Sequence, residues 1–260
     1  MTVKDSVPSD AKRITERVAR DDCSATRILM EDQGASILFE DLDGGRALGN
    51  RFSTREKMAA ALNIGRDRIV THILDAVNHP VPCRMVDDPE FRQIEHELDL
   101  TKLPIPRYFP EDGGRYISSG IIVTEYEGMK NVSFHRMMIM GPDTIAVRLV
   151  PRHLFTIRKM AKEKGDELRI AICIGAQAEV LLAAATSMDF GADELEVASA
   201  MHQAGHGTPL RLGRCDNGLA VPADCDYVLE GRITFDETEE GPFVDITGTY
   251  DFVRKQPIIK

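Results

Sequence analysis

Residues 131–140 read NVSFHRMMIM, a run in which side chains that could bind anions or transfer protons stand directly before an apolar stretch. On a strand, Ser133 and His135 would share one face, whereas Phe134 and Arg136 would share the other. We expect Arg136 to be partly buried beside the methionines, and a buried guanidinium requires an anionic partner. The residues alone favour a structural ion pair that closes a barrel.

Basic side chains gather at the start of a predicted helix in the string VRLVPRHLF. His153 follows Arg148 and Arg152, and Pro151 suits the first turn of a helix because its missing N–H would have no intrahelical partner there. Cationic groups at a helix N-terminus can form a phosphate site. A solvated helix start would show the same pattern, so both interpretations stay open.

The acidic string DETEEGPFVD, residues 236–245, contains one carboxylate that differs from the others. Glu240 and the acids before it precede a Gly-Pro turn, as in a solvated loop. Asp245 instead follows Phe243 in a predicted apolar strand, where burial would perturb its pKa and make it a candidate acid or base. Glu194 and Glu196 stand near the N-terminus of another predicted helix, where the dipole favours carboxylates in any case.

A histidine pair, His202 and His206, has the i, i+4 spacing of two ligands on one helical face. Gly205, Gly207 and Pro209 are expected to end the helix between them. The sequence therefore argues against a helical metal pair at this position.

The elements before residue 98 are predicted to form a small α/β unit. We expect helices at residues 10–20, 53–61 and 66–77 and a strand at residues 36–40. In the second helix, Ser53 and Glu56 have the spacing of a capping box. Prolines and a Gly-Gly pair interrupt regular structure over residues 98–114. We therefore predict an N-terminal domain at residues 1–105 and a second domain at residues 106–260.

The second domain is predicted to be rich in strands with helices between them. We expect strands at 119–125, 132–140, 144–150, 168–174, 227–235 and 243–250, and helices at 152–164, 176–187 and 193–202. This pattern predicts a barrel-like α+β fold. Residues 255–260, KQPIIK, resemble a strand cut at its start, which suggests a piece of a larger whole.

The composition excludes several classes of protein. The formal net charge is −10, from 32 Lys and Arg against 42 Asp and Glu, which argues against binding to nucleic acid or to anionic membranes. No stretch approaches the roughly 18 apolar residues of a membrane span, and the N-terminus lacks the apolar core of a secretion signal. Five scattered cysteines predict free thiols in a reducing compartment. We therefore expect a cytoplasmic protein.

Several strings occur in the order found in one known family and are specific in combination. They are LPIPRYFPEDGG, NVSFHRMM, RLVPRHL, IAICIGA, DELEVASA, VPADCDYVLEGRI and EGPFVDITGTY. Through them, residues 98–260 resemble the UbiD-family decarboxylases, and the first 97 residues match more loosely. The resemblance implies an α+β protein in which a small N-terminal α/β domain precedes a flavin-reductase-like split β-barrel.

The resemblance also implies a function: reversible, non-oxidative decarboxylation of an aromatic or α,β-unsaturated acid with prenylated FMN. It implies K⁺ and a divalent metal, Mn²⁺ or Mg²⁺, as further cofactors. The implied metal ligands are Asn131, His153 and Glu194, with Glu196 as the alternative to Glu194. The implied catalytic residues are Arg136, Glu240 and Asp245. The implied cofactor contacts are Asn131, Ser133, Phe134, His135, Arg136, Arg148, Leu149, Arg152 and His153.

In this family Arg136 would hold the substrate carboxylate, and Asp245 would return a proton after CO₂ leaves. Val244 stands where many members have a glycine before that acid. The family continues well beyond residue 260, so we expect a truncated cofactor-binding portion that forms a homo-oligomer or is completed by a further subunit. A flavin prenyltransferase would supply the cofactor. The alternatives are a non-catalytic flavin- or phosphate-binding subunit and a structural assembly module.

Overall fold

The computed structural model describes residues 7–95 and 97–260. The first six residues, part of the N-terminus interpreted above, lie outside the described residues. A three-stranded sheet comes first: β1 (Lys12–Ile14) pairs in parallel with β2 (Ile37–Leu42), which pairs antiparallel with β3 (Gly45–Gly49). Helix α1 (Ser24–Glu31) adds Ala25 to its core. The helix predicted at residues 10–20 is wrong, because backbone pairing of residues 12–14 with the buried β2 outweighs their helical spacing.

Two helices follow, α2 (Arg55–Ala61) and α3 (Ile69–Asn78), close to their predicted positions. The residue that caps α2 is Thr54, not Ser53. Its side chain accepts a hydrogen bond of 3.2 Å from the Lys57 backbone N–H. The N-terminal N–H groups of the helix are therefore capped one residue later than the predicted capping box.

The remaining strands and helices follow in chain order. They are β4 (Arg84–Met85), β5 (Tyr116–Ile117), β6 (Ile121–Tyr126), β7 (Met129–Phe134), β8 (Met137–Ile139), β9 (Ile145–Val147), α4 (His153–Glu163), β10 (Leu168–Ile174), α5 (Ala178–Ala185), α6 (Glu194–His206), β11 (Arg211–Arg214), β12 (Ala220–Pro222), β13 (Tyr227–Glu240), β14 (Phe243–Val244), β15 (Tyr250–Asp251) and β16 (Arg254–Ile259).

Eight of these strands form one curled antiparallel sheet in the order β5-β8-β9-β16-β13-β10-β6-β7. Strand β10 is central and buried on both faces. Ala171 and Cys173 pack into the cluster that includes α5 and α6, whereas Ile170 and Ile172 pack into the cluster that includes α4. Because both faces are covered, the strand is a largely apolar run. The predicted α+β fold with a barrel-like sheet is confirmed.

Three boundaries that matter for the site differ from the sequence prediction. The strand predicted at 132–140 breaks at His135 and Arg136, between β7 and β8. The strand predicted at 243–250 is instead the hairpin β14–β15, with Phe243 opposite Asp251. Helix α6 continues to His206 rather than ending at His202. Each difference changes which side chains can meet.

The described part of the chain contains no helix with the length and apolar character needed to cross a membrane. All five cysteines are free thiols, as predicted.

Candidate active site

Arg136 lies at the centre of a buried charge cluster, in the break between β7 and β8. Its Nε and Nη2 donate to the two carboxylate oxygens of Glu240, at 2.9 and 3.0 Å, and Nη2 also donates to Asp251 at 3.0 Å. Glu240, at the end of β13, has no exposed surface. The bidentate contact fixes the guanidinium plane. The predicted anionic partner of Arg136 is therefore present.

Two aromatic rings enclose this ion pair. The Tyr116 hydroxyl, from β5, donates to Glu240 at 3.1 Å. The Phe243 ring lies 4.5 Å from the Tyr116 ring and 5.1 Å from the Arg136 guanidinium carbon. Burial raises the pKa of Tyr116, and the Glu240 carboxylate raises it further. The Tyr116 hydroxyl is therefore a proton-bearing donor to Glu240.

The charges in the cluster set its protonation. Burial alone would lower the pKa of Arg136, but the carboxylates of Glu240 and Asp251 outweigh burial and raise it. Burial would raise the pKa of Asp251, but the Phe252 backbone N–H and the guanidinium groups of Arg136, Arg254 and Arg148 lower it. The cluster therefore holds its arginine as a cation and Asp251 as an anion at neutral pH.

Asp245 does not lie where the sequence predicted. It is exposed in the turn of the β14–β15 hairpin, and its carboxylate accepts a hydrogen bond of 2.7 Å from the Ile246 N–H. The expectation of a buried carboxylate in an apolar strand is wrong, because the chain reverses at residues 245–249. The second carboxylate that contacts Arg136 is Asp251.

A second buried carboxylate, Glu194, begins helix α6 and contacts β7. The Asn131 Nδ2 donates to it at 2.9 Å, and the Val132 N–H donates at 3.0 Å. Burial raises the pKa of Glu194 to about 7, although these two hydrogen bonds lower it. Two oxygen-bearing side chains, Asn131 and Glu194, thus meet in a buried position. The alternative, Glu196, is partly exposed.

A hydrogen-bonded chain of side chains links Asn131 to the loop before α4. The Ser133 hydroxyl lies 2.7 Å from Asn131 Oδ1 and 2.9 Å from His135 Nε2, and His135 Nδ1 lies 3.0 Å from the Arg148 carbonyl oxygen. Burial lowers the pKa of His135. This chain of contacts fixes the loop that carries the predicted phosphate-binding arginines.

The loop itself is positioned by contacts with β15 and β16. The Leu149 N–H donates to Gln256 Oε1 at 2.8 Å, and Arg148 approaches Asp251 with its Nε at 3.6 Å. Arg152 is exposed at the start of α4. Arg148 of the loop and Arg136 thus meet the same carboxylate, Asp251.

His153 lies at the first position of α4, and its ring packs edge-on against Phe190 at 5.4 Å between ring centroids. Phe190 precedes α6 by four residues, so His153 lies beside the segment that leads to Glu194. Helices α4 and α6 both pack against β7, which carries Asn131. The described contacts join Asn131 to Glu194 directly and bring His153 next to the same segment. Phe134 is 37% exposed at the end of β7.

The sequence did not identify Tyr116 and Asp251 as site residues. Tyr116 stands in a two-residue strand, and the short string RYIS carries no periodic pattern. Asp251 could have been found from the turn string DITGT: a hairpin there places a residue after Tyr250 opposite Phe243. This turn string was the available signal. It was missed because the sequence analysis predicts one continuous strand over residues 243–250.

Comparison with known proteins agrees with this fold. Residues 84–260 match the family model for the 3-octaprenyl-4-hydroxybenzoate carboxy-lyase Rift-related domain, and residues 9–77 match the model for the N-terminal domain of the same enzyme.

The curated relatives include two archaeal proteins. An anhydromevalonate phosphate decarboxylase of Methanosarcina mazei is 41% identical over 90% of this chain and 54% of its own length. An anhydromevalonate phosphate decarboxylase of Methanothermobacter thermautotrophicus is 43% identical over 80% of this chain and 48% of its own length. The chain thus spans about half the length of these relatives.

A solved structure of an evolved dimeric form of the UbiD-class enzyme HmfF from Pelotomaculum thermopropionicum, in complex with prFMN, superposes with a TM-score of 0.89. It is 32% identical, and the match covers 96% of this chain and 60% of the other. With the family models, the curated relatives and this superposition in agreement, the chain belongs to the UbiD family.

Proposed function

We propose that this chain is the cofactor-binding part of a prenylated-FMN-dependent decarboxylase that acts on a phosphorylated α,β-unsaturated acid of the anhydromevalonate phosphate class. The observation that carries the proposal is the buried cluster of Arg136, Glu240 and Tyr116 in a chain of this family. The substrate class rests on the curated relatives, which are named for that acid.

The donor sets of the site fit a divalent metal and a phosphate. Asn131 and Glu194 offer buried oxygen atoms, which suit Mn²⁺ or Mg²⁺. The described hydrogen-bond donors to Glu194 carry no charge, and burial raises the pKa of this carboxylate. We infer that His153 supplies a third ligand and that Arg148 and Arg152 meet the cofactor phosphate.

In the proposed reaction, prenylated FMN supplies, when bound, the electron sink for the carbon that loses CO₂. Arg136 holds the substrate carboxylate. Within the described part of the chain its contacts with carboxylates use Nε and Nη2, so Nη1 offers further N–H donors. Glu240 keeps the guanidinium charged and oriented, and the guanidinium carbon lies 5.1 Å from the centre of the Phe243 ring.

A carboxyl group must return a proton to the carbon after CO₂ leaves. The family pattern assigns this role to Asp245, which we retain as the first candidate. Asp251 is the second candidate because it contacts Arg136 directly. Replacing the true donor by Asn should lower the turnover rate by roughly 10²–10⁴-fold with cofactor binding intact, and replacing the other should leave most of the rate.

The test is co-expression of the chain with a flavin prenyltransferase, followed by the absorbance spectrum of the purified protein and an assay of CO₂ release. Anhydromevalonate phosphate, the same acid without phosphate, and an aromatic acid would be compared as substrates. Arg136→Gln should abolish CO₂ release, whereas Arg232→Gln, at an exposed arginine that pairs with Glu167, serves as the matched control. Failure of the chain to bind a prenyl-flavin would contradict the proposal, whereas a bound prenyl-flavin without CO₂ release from any acid would favour a non-catalytic flavin-binding subunit.

A further inference from the structure

A second cluster of ligand-type side chains lies at the other end of α6. Glu179 of α5 and the pair His202 and His206 of α6 each offer one ligand atom, and these atoms lie within 4.8 Å of one another. The two histidine rings are 4.8 Å apart between centroids. The i, i+4 spacing works because α6 includes both residues. The sequence-based objection to a helical pair is therefore wrong.

Gly205 lies within α6 because helix packing requires a glycine at this position. A Cβ at this position would lie 2.1 Å from the Leu62 carbonyl oxygen, so the close approach of the α2 end requires a glycine. The Asn63 side chain donates to the Gly205 carbonyl oxygen at 2.8 Å. The glycine thus serves helix packing rather than helix termination, and it places the histidines where α2, α5 and α6 meet.

His202 is oriented as a metal ligand. Its Nδ1 lies 2.7 Å from the Thr208 carbonyl oxygen, and a carbonyl only accepts, so Nδ1 carries the proton. With Nδ1 as the donor to this carbonyl, Nε2 is the ring nitrogen that can offer a lone pair to a metal ion. A backbone carbonyl that fixes the tautomer in this way is the usual outer partner of a metal-ligating histidine.

Glu179 has an unsatisfied oxygen inside the protein. The residue is 2% exposed, and its Oε1 has no hydrogen-bond partner in the described part of the chain. His206 Nε2 lies 3.0 Å from that oxygen, but its N–H is directed at the Ala61 carbonyl oxygen, 3.2 Å away. A buried carboxylate oxygen without a donor requires an explanation, and a bound cation is one.

Among the described residues, no neighbouring basic group donates a hydrogen bond to that oxygen. Two basic groups outside the cluster, His72 and Arg51, are attracted electrostatically to the Glu179 carboxylate. Burial lowers the pKa of His72 and that of Arg51, so both neighbours are themselves short of solvation. His72 Nε2 is a second buried polar atom without a hydrogen-bond partner among the described residues.

We propose that Glu179, His202 and His206 bind a transition-metal ion that prefers imidazole, with Zn²⁺ as the probe, and that the ion clamps α5 to α6. Two imidazoles and one carboxylate are a common zinc donor set with one position left for water. On binding, His206 would release the Ala61 carbonyl, and its proton would move to Nδ1, so Nε2 would gain a free lone pair. This site is separate from Glu194, which lies twelve residues from His206 on α6, about 18 Å along the helix axis.

The test is Zn²⁺ binding to the full 260-residue chain by titration calorimetry and by metal analysis after dialysis. It is done in a Glu194→Gln background so that the other carboxylate cannot contribute. We expect about one equivalent of Zn²⁺. We expect binding at least ~10-fold weaker in Glu179→Gln, His202→Asn and His206→Asn, since loss of an outer partner alone already weakens metal sites by roughly 10–100-fold. His79→Asn, at an exposed histidine that ends α3, is the matched control and should bind as the parent does.

A second readout protects the test from variants that fold poorly. Zn²⁺ at about 100 times the parent's Kd should raise the melting temperature of the parent by about 5 °C and that of His202→Asn by no more than about half as much, because the variant binds at least ~10-fold more weakly. Far-ultraviolet circular dichroism checks that each variant is folded. No binding to the parent, or equal binding to the parent and to a folded His202→Asn variant, would overturn the proposal. Neither result depends on the proposed decarboxylase activity.

Discussion

Two glutamates are similarly buried but differ in what surrounds their charge. Glu240 is fully buried and receives two charge-assisted hydrogen bonds from Arg136 and one from Tyr116. Glu194 is 4% exposed and receives hydrogen bonds from an amide and a backbone N–H, and burial raises its pKa to about 7. The first carboxylate belongs to a complete ion pair, whereas the hydrogen-bond donors to the second carry no charge.

This difference separates two parts of one proposed active site. A complete ion pair presents a fixed, charged guanidinium to a substrate anion. An uncompensated carboxylate beside an amide oxygen presents ligands to a metal ion. The two groups are joined along β7, since Asn131 stands at its centre and Arg136 just after its end.

The largest expected effect comes from breaking the complete pair. Glu240→Gln should lower the free energy of unfolding by about 3 kcal/mol, because removing one partner leaves the other charge buried and unpaired. Asp251 still contacts Arg136, which keeps the loss at the lower end of the usual range. Urea denaturation measures it. Glu239→Gln, at the more exposed neighbour on the same strand, is the control; an equal loss in the two variants would contradict the distinction.

The pH dependence of stability should identify the uncompensated carboxylate. Its folded pKa of about 7 lies above the ordinary value of 4.5, so between these values the folded state holds a proton that the unfolded state has lost. The stabilisation that protonated Glu194 contributes to the folded state is complete below pH 4.5 and is lost as the pH rises to about 7. Between wild type and Glu194→Gln, the difference in unfolding free energy should change by about 3 kcal/mol over this window, measured with chelator present. Parallel curves for the two proteins would rule out a titrating Glu194.

A divalent ion should compensate the charge of this carboxylate. At Mn²⁺ about 100 times above its Kd, the wild type should gain about 2.7 kcal/mol of stability. Asn131→Ala and Glu194→Gln should gain little, and His153→Ala tests the proposed third ligand. Glu239→Gln should respond like the wild type. If Mn²⁺ stabilises Glu194→Gln as much as the wild type, the ion binds elsewhere.

The sequence predicts which side chains need a partner better than it predicts which residues those partners are. The need of Arg136 for an anion follows from its apolar neighbours, but its partner lies 104 residues away and is set by the strand order of the sheet. The position of Asp251 depends on the register of the β14–β15 hairpin. A prediction of one continuous strand over this segment gives no such register. The local sequence pattern predicts that the helix ends at Gly205. The glycine is instead required by the close approach of the Leu62 carbonyl, which lies far away in the sequence and therefore leaves no local signal.

The resemblance to a family carries the prediction further than the patterns do. It singles out Glu240 in a string that otherwise resembles a solvated acidic loop, and the structure buries that residue completely. It does not account for the local conformation of residues 243–251, where the hairpin exposes Asp245. Short turns depend on few residues, so they are where a family pattern predicts contacts least well.

The smallest expected effect compares two tyrosines that each donate to a carboxylate. Tyr116 donates to the buried Glu240 at 3.1 Å, and Tyr126 donates to the more exposed Asp166 at 2.7 Å. Tyr116→Phe should lower the free energy of unfolding by about 1.5 kcal/mol, since a hydrogen bond to a buried charge cannot be replaced by water. Tyr126→Phe should have no measurable effect, because water can take the place of its hydroxyl. If urea denaturation shows no measurable loss for Tyr116→Phe either, Glu240 does not depend on the Tyr116 hydroxyl, and Arg136 alone compensates its charge.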